Sequence, residues 1–177
     1  MVRLKGVVLE MLQHQDADDR LLRKIIDLKN ESWPYGEESQ REWLKKNMGV
    51  HDWHCLLWAG DDLTGYCTLS EVVLDINGCT SDILGLGCVC VASKKKGHGW
   101  GATLSTLVSQ LIRDSGHAGM LICRDDLVGF YQNNGNWLLW DKSQGEDVSF
   151  GGNPIGANVM TLSLSPESAR VSIDRVF

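Results

Sequence analysis

The spacing of apolar residues divides the chain into short strands and a few amphipathic helices. Residues 6–12 and 53–58 are compact apolar runs that predict strands. After Asp16 an apolar residue recurs every three or four positions, which predicts a helix to about Asn30 with Asp16 as its N-cap. A second helix is predicted over residues 37–48, and Gly49 directly after it is a common helix-terminating residue.

The centre of the chain predicts an antiparallel meander. Residues 63–76 and 81–91 are strand-like, and Asn77 and Gly78 between them form a strong hairpin signal. Glycines then punctuate residues 97–101, and the apolar spacing changes from a strand period to a helix period. This third helix is marked by Leu104, Leu107, Val108, Leu111 and Ile112, and it ends at Gly116.

The last third of the chain alternates strands with one short helix. Strands are predicted at residues 119–123, 137–140 and 158–164, a helix at 127–132, and a polar loop at 141–156. The order is β-α-α-β-β-β-α-β-α-β-β, without an internal repeat. It predicts that residues 1–177 form a single α+β domain with a mixed, mostly antiparallel central sheet flanked by helices.

Composition narrows the class of protein. Hydrophobic residues make up 43% and charged residues 23% of the 177 positions, as in water-soluble globular domains. No run approaches the ~20 apolar residues of a membrane helix. Charged residues interrupt the first twelve positions, unlike a signal peptide. We therefore expect a cytoplasmic protein without membrane contact. A net charge of −6 disfavours nucleic acid as a partner and leaves room for a cationic substrate.

The six cysteines contain no CxxC pair, and most lie in apolar strand-like runs. Free cysteine behaves as a small buried hydrophobic residue, so we predict structural thiols rather than disulfides. No set of matching ligands accompanies them, and we predict no metal site.

A strand followed by a glycine-rich turn and a helix is the most informative feature. Gly97, Gly99 and Gly101 allow a tight turn and close approach of a ligand to the backbone. The free N–H groups and the dipole of the following helix favour an anion such as a pyrophosphate. Residues 94–96 are all lysine and add positive charge. A structural turn beside solvated lysines is the alternative interpretation, and the P-loop pattern is absent.

Residues 96–101, KGHGWG, resemble the acetyl-CoA loop of the GNAT superfamily of N-acetyltransferases, Q/R-x-x-G-x-G/A, with lysine in the first position. A second block, residues 130–135, is FYQNNG and is similar to the family ending L/F-Y-x-x-x-G-F/W. Here Asn136 intrudes before Trp137, where the family has the aromatic residue directly.

The resemblance implies the GNAT fold, acetyl-CoA as co-substrate and direct acetyl transfer to an amine. It implies that Tyr131 protonates the departing CoA thiolate. It also assigns acetyl-CoA binding to the strand before the loop, the loop itself and the start of the helix: Val89, Cys90, Val91, Lys96, Gly97, His98, Gly99, Trp100, Gly101 and Ala102.

Within the superfamily the chain is most similar to aminoglycoside 2′-N-acetyltransferases, through dispersed matches over most of its length. That similarity implies a polycationic amine as acceptor and a role in antibiotic resistance. Gly87 stands where those enzymes have a glutamate, their candidate base. The best candidates for the base here are therefore Asp125 and Asp126. For acceptor binding the candidates are Glu42, Glu71 and Asp82, together with an aromatic wall that includes Trp33, Trp43, Trp53, Trp58, Trp137 and Trp140.

Two alternatives stay open at this stage. The chain could acetylate a protein or peptide, which would need an open acceptor groove. It could also be a non-catalytic domain that binds acyl-CoA. A homodimer is open as well, because the sequence carries no signal for the oligomeric state.

Overall fold

The computed structural model describes residues 2–4, 6–140, 148–164 and 170–177 of the chain. Its strands are β1 (Val2–Leu4), β2 (Val7–Gln13), β3 (Trp53–Ala59), β4 (Asp62–Ile76), β5 (Cys79–Val91), β6 (Ala118–Cys123), β7 (Leu138–Leu139), β8 (Ser149–Phe150), β9 (Asn153–Pro154), β10 (Asn158–Leu162) and β11 (Val171–Ile173). Its α-helices are α1 (Asp19–Asn30), α2 (Glu37–Asn47), α3 (Trp100–Asp114) and α4 (Val128–Gly135).

The strands form one mixed sheet in the order β1-β2-β3-β4-β5-β6-β10-β7. Neighbours in this order are antiparallel except β5 and β6, which run parallel because α3 crosses over between them. The short strand β11 pairs with the far end of β4. The predicted α+β class and the mixed, mostly antiparallel sheet are confirmed.

The central hairpin forms where the sequence predicts it. Asn77 and Gly78 have φ angles of 53° and 87°. Two successive residues with positive φ make a turn whose twist matches that of the flanking strands. Ile76 therefore faces Cys79, and β4 and β5 pair along almost their whole length.

Helices cover both faces of the sheet. Successive strand residues point to opposite sides, so neighbouring apolar residues of one strand pack against different helices. On one face Leu104 and Val108 of α3 pack with Leu57 of β3. On the other face Ile25 of α1 packs with Leu56 of β3. The two layers bury the centre of the sheet and leave the ends of its strands accessible.

Two predicted boundaries are wrong. Helix α1 is capped by Asp18, whose carboxylate accepts a hydrogen bond from the Leu21 N–H at 2.7 Å, while Asp16 lies in a preceding 3-10 turn. The strand predicted at residues 137–140 is reduced to Leu138–Leu139. Asn136 ends α4 in the left-handed conformation, and Trp137 turns into the core to donate a hydrogen bond to the Ser109 hydroxyl at 2.8 Å.

Four short strands, β1, β8, β9 and β11, were not predicted from the pattern. Within the polar segment predicted as a loop, residues 141–147 lie outside the described residues, and β8 pairs with β9.

Among the helices that the structure describes, none is long and apolar enough to cross a membrane.

Candidate active site

A cleft opens where β5 and β6 separate. The two strands pair only from Ile83 to Leu86 on β5 and from Ala118 to Leu121 on β6. Beyond these pairs lies a cavity of about 580 Å³, a volume typical of a small-molecule site. Its walls are the second half of β5, the end of β6, the start of α3 and the inner side of α4. The cleft therefore lies beside the parallel pair, at the end where the glycine loop begins.

A β-bulge on β5 shapes the wall of the cleft. Cys67 on β4 faces two residues of β5, Cys88 and Val89, because the register shifts there. Cys88 has a φ angle of 51°, in the left-handed region. A bulge leaves one residue out of the hydrogen-bond ladder, so a main-chain N–H becomes available to another acceptor. Both bulged residues line the cleft, as do the predicted contacts Cys90 and Val91.

The glycine loop and the start of α3 form the mouth of the cleft. Gly97 and Gly99 have φ angles of 77° and 80°, and a Cβ atom on either would meet nothing within 4 Å. Their surroundings therefore leave room for a ligand against the backbone. The first main-chain hydrogen bond of α3 is donated by Thr103 to the Gly99 carbonyl at 2.9 Å, so the preceding amides of the helix are free for an anion.

The charged residues of the loop have different environments. Lys96 lines the cleft, whereas Lys94 pairs with Asp62 at 3.6 Å and Lys95 lies over the Trp100 ring at 5.4 Å. His98 is exposed, and its Nδ1 hydrogen-bonds the Lys96 carbonyl at 2.9 Å. Lys96, the helix amides and the glycine backbone together give this segment a positive polarity that favours an anion.

Tyr131 of α4 lines the cleft opposite the bulge and is only 7% exposed. Burial raises the pKa of its hydroxyl, so the hydroxyl keeps its proton across the physiological range. Its ring packs edge-on against Phe130, with ring centroids 5.1 Å apart. A protonated hydroxyl in this wall can donate a proton to a nearby leaving group.

The predicted acidic residues lie outside the cleft. Asp125 accepts a hydrogen bond from the Asn158 amide at 2.6 Å, and Asp126 pairs with Arg124 at 2.9 Å. Both acids are exposed beside the opening, and only Arg124 of these residues lines the cleft. Glu42 is exposed on α2. Of the residues described along the cleft, none is acidic.

Glu71 and Asp82 line a different cavity, of about 760 Å³, along the half of β5 nearer the hairpin. Asp52 belongs to it too and forms an ion pair with Arg175 at 2.7 Å. The β5 lining of this cavity ends at Leu84, two positions before the cleft begins at Leu86. The candidates predicted for acceptor binding are therefore divided between two cavities.

Gly87 is required by the packing of Phe177. A Cβ atom at Gly87 would lie 2.7 Å from the main-chain carbonyl carbon of Phe177 and 2.9 Å from the Thr68 hydroxyl. At Gly85 it would lie 2.4 Å from the Phe177 ring. Phe177 also lines the cleft. The space that a glutamate side chain would need is thus filled by another part of the chain. Glycines two apart within a strand signal such a close approach.

A smaller cavity of about 230 Å³ adjoins the cleft and contains a residue that the sequence analysis did not select. Lys29 on α1 is 2% exposed, and its Nζ lies 3.9 Å from the centroid of the Trp43 ring. Trp33 and Cys88 line both this cavity and the cleft. Lys29 follows Leu22, Ile25 and Ile26 at helical spacing, so its place on the buried face was visible in the sequence.

Only two tryptophans of the predicted aromatic wall line this small cavity, and one of them, Trp33, also lines the cleft. Trp33 and Trp43 line the small cavity, whereas Trp137 and Trp140 are buried in the core. Trp53 lines the cavity of Glu71 and Asp82, and the indole N–H of Trp58 donates to a Glu10 carboxylate oxygen at 2.8 Å. Core and surface packing therefore account for most of the tryptophans.

The thiols near the site are protonated. Burial raises the pKa of Cys90 to about 12 and also raises the pKa of Cys88 and Cys123. A protonated thiol is a poor nucleophile, so these residues are unsuited to carry an acyl group. In the part of the chain that the structure describes, no cluster of His, Cys, Asp and Glu could hold a metal ion.

No protein-family model and no curated protein sequence matches the chain. Solved structures do match its fold. ElaA from Escherichia coli superposes with a TM-score of 0.61 at 17% identity, over 89% of this chain and 99% of that one. The GNAT-family N-acetyltransferase YhbS from Escherichia coli, solved with CoA, gives 0.60 at 12% identity over 98% and 94%.

A GNAT-family acetyltransferase from Brucella melitensis, solved with acetyl-CoA, gives a TM-score of 0.56 at 15% identity, over 95% of this chain and 96% of that one. The predicted GNAT fold is therefore confirmed. The similarity extends over nearly the whole of these three proteins.

Proposed function

We propose that the chain is an acetyl-CoA-dependent N-acetyltransferase that transfers the acetyl group directly to a small amine. One observation carries this proposal: Lys96 and Gly101 at the two ends of the glycine loop, the β5 bulge and Tyr131 line the same cleft. In the proposed reaction they supply a phosphate cradle, a main-chain donor and a proton donor. The structural similarity to enzymes solved with CoA or acetyl-CoA adds support.

Each part has a role in the proposed reaction. The loop and the α3 amides hold the phosphates, which places the thioester along β5. The free N–H at the bulge of Cys88 and Val89 donates to the thioester oxygen as negative charge develops there. The amine attacks the carbonyl carbon, and the C–S bond then breaks. Tyr131 gives its proton to the departing thiolate.

The amine must lose a proton to become a nucleophile, and no acidic side chain is described along the cleft to accept it. We propose that this proton passes to water, with Asp125 and Asp126 as exposed acceptors beside the opening. Such a base acts at a distance from the reacting nitrogen. The enzyme would then depend on the fraction of amine that is already neutral, and its rate would rise with pH.

An aminoglycoside is a second candidate for the acceptor. In its favour, Glu71 and Asp82 line a cavity that begins where the β5 wall of the cleft ends, and their charges suit the spectator amines of a polycation. Lys29, Lys96 and Arg124 line the cleft or its neighbouring cavity and disfavour a polycation near the acetyl group. We therefore place a small amine of lower charge first.

A thiol-release assay with acetyl-CoA tests the function. The acceptors to compare are amino acids, amino-acid amides, polyamines, peptides and aminoglycosides. Release with one class, together with acetylated product by mass spectrometry, would support the enzyme. Tight calorimetric binding of CoA without release for any class would instead favour a non-catalytic acyl-CoA-binding domain. Absence of CoA binding would refute both.

A further inference from the structure

Lys29 is a buried cation without a described counter-ion. It is 2% exposed, and among the described residues no carboxylate lies within 4.0 Å of its Nζ. Lysine is almost never buried to this degree unless it is paired. The Trp43 ring at 3.9 Å offers a cation–π contact, which offsets part of the desolvation cost.

The cavity around Lys29 is suited to a small ligand. Trp33, Tyr35, Gln40 and Cys88 complete its lining, and its volume of about 230 Å³ is below the ~300 Å³ typical of drug-sized sites. Gln40 is held in place, since its amide donates to the Trp33 carbonyl at 2.9 Å. Tyr35 is 70% exposed, so the cavity opens to solvent on that side.

The position of the cavity connects it to the proposed transfer site. Cys88 belongs to the β5 bulge that donates to the thioester in the proposed mechanism, and it lines both cavities. Lys29 lies beside the Cys88 thiol, which interacts with it. A group held by Lys29 is therefore next to the transferred acyl group, on the side of α1 and α2.

We propose that Lys29 holds a carboxylate of the substrate beside the transferred acyl group. This inference rests on the proposed acetyltransferase function and specifies its substrate class: a small amine that also carries a carboxylate, such as an amino acid. The same carboxylate chemistry could belong to the acyl group of a dicarboxylic acyl-CoA, and the experiment below separates the two sources.

Charge and burial both favour this ligand. Burial lowers the pKa of Lys29, so an arriving carboxylate would restore the stability of its charged form. An ion pair formed inside the cavity is little screened by salt, unlike one on the surface. Hydrogen bonds to charged groups are the stronger class, and losing one reduces affinity by about tenfold or more.

The test uses pairs of an acid and its amide, and rates are compared per neutral amine because the amine of the amide is the weaker base. Thiol release is measured with acetyl-CoA and pairs of an L-amino acid and its amide, and in a second arm with succinyl-CoA against acetyl-CoA at a fixed amide acceptor. We expect the wild type to prefer the acid of a pair by about tenfold or more in kcat/KM. Lys29→Met should remove this preference by lowering kcat/KM for the acid more than for the amide, and Lys29→Arg should retain part of it.

Lys24→Met is the matched control, since Lys24 lies on the same helix over the Trp58 ring at 5.1 Å and is exposed. Calorimetry of acid and amide binding to the CoA-loaded protein gives a second readout that needs no turnover. A preference seen only with succinyl-CoA would assign the carboxylate to the acyl group. Equal kinetics and equal binding for acid and amide, and for both acyl-CoAs, in the wild type would overturn the proposal.

If calorimetry shows tighter binding of the acid than of the amide although no thiol is released, the carboxylate site stands and the enzyme proposal fails. If thiol is released at equal rates with acid and amide, and with acetyl-CoA and succinyl-CoA, the enzyme stands and the carboxylate site fails.

Discussion

The buried His54 predicts a stability that falls as the pH is lowered. His54 on β3 is fully buried, with its Nδ1 hydrogen-bonded to the Tyr66 hydroxyl at 2.7 Å and its Nε2 to His14 Nδ1 at 2.9 Å. Burial lowers the pKa of His54 from 6.5 to about 4, with further lowering by the charges of His14 and Lys29 and a smaller opposing effect of Asp52. The folded protein therefore contains the neutral ring.

The size of the effect follows from this pKa difference. Above pH 6.5 both the folded and the unfolded chain hold neutral His54, and stability is at its full value. Between pH 6.5 and 4 only the unfolded chain binds the proton, so the free energy of unfolding falls as the pH falls. The full loss is roughly 3 kcal/mol, and about 2 kcal/mol of it is reached by pH 5.

Urea denaturation at pH 7.5 and pH 5 measures this loss. His54→Gln removes the titrating group, so its free energy of unfolding should fall less between the two pH values than that of the wild type, by about 2 kcal/mol. His117→Gln, at an exposed histidine, serves as the control and should behave like the wild type. An equal pH dependence for wild type and His54→Gln would refute the burial argument.

Three further predictions concern the cleft. Tyr131→Phe should lower turnover by up to ~10²-fold with little change in the Michaelis constant for acetyl-CoA, because the proposed proton donor is lost and a thiolate is a fair leaving group; steady-state kinetics checks this, and wild-type turnover would exclude Tyr131 from the mechanism. Gly99→Asp should weaken CoA binding, measured by calorimetry, because it adds negative charge beside the proposed phosphate cradle. Gly116→Asp, at another positive-φ glycine, is the control and should leave CoA binding unchanged. Gly87→Ala should lower the free energy of unfolding by ~1–3 kcal/mol through the clash with Phe177; Gly129→Ala, where a Cβ atom meets nothing within 4 Å, should not lower it.

The sequence predicted the elements that have strong local signals. Periodicity marked the helices α1, α2 and α3, and Asn77 with Gly78 marked the hairpin. The short strands β8, β9 and β11 were missed because two or three residues are too few to show a period. Trp137 was predicted to lie in a strand. In the structure Asn136 before it adopts the left-handed conformation, which turns the indole into the core.

The strand, glycine loop and helix of residues 79–114 could be predicted because their signals lie in consecutive residues, and phosphate binding there stays a prediction. The residues around the acceptor amine could not be predicted, because their placement depends on contacts between distant segments. Asp125 and Asp126 were selected as candidates for the base, yet Asn158 and Arg124 bind them outside the cleft. Phe177 reaches the glycines of β5 through tertiary packing alone. Lys29 had a visible signal, a charge within an apolar stripe, but only the fold shows which cavity it faces.

The absence of a glutamate at position 87 affects which substrate the cleft favours. A glutamate at position 87 would place a negative charge beside the reacting nitrogen, where it would favour a cationic amine and accept its proton. Here Phe177 fills that space, and the charged side chains of the cleft and the adjoining cavity are Lys29, Lys96 and Arg124. Positive surroundings lower the pKa of an amine, so the acceptor is more readily neutral when it reaches the thioester. Positive side chains without an acidic side chain among them therefore favour, in the proposed reaction, an acceptor that brings its own negative charge.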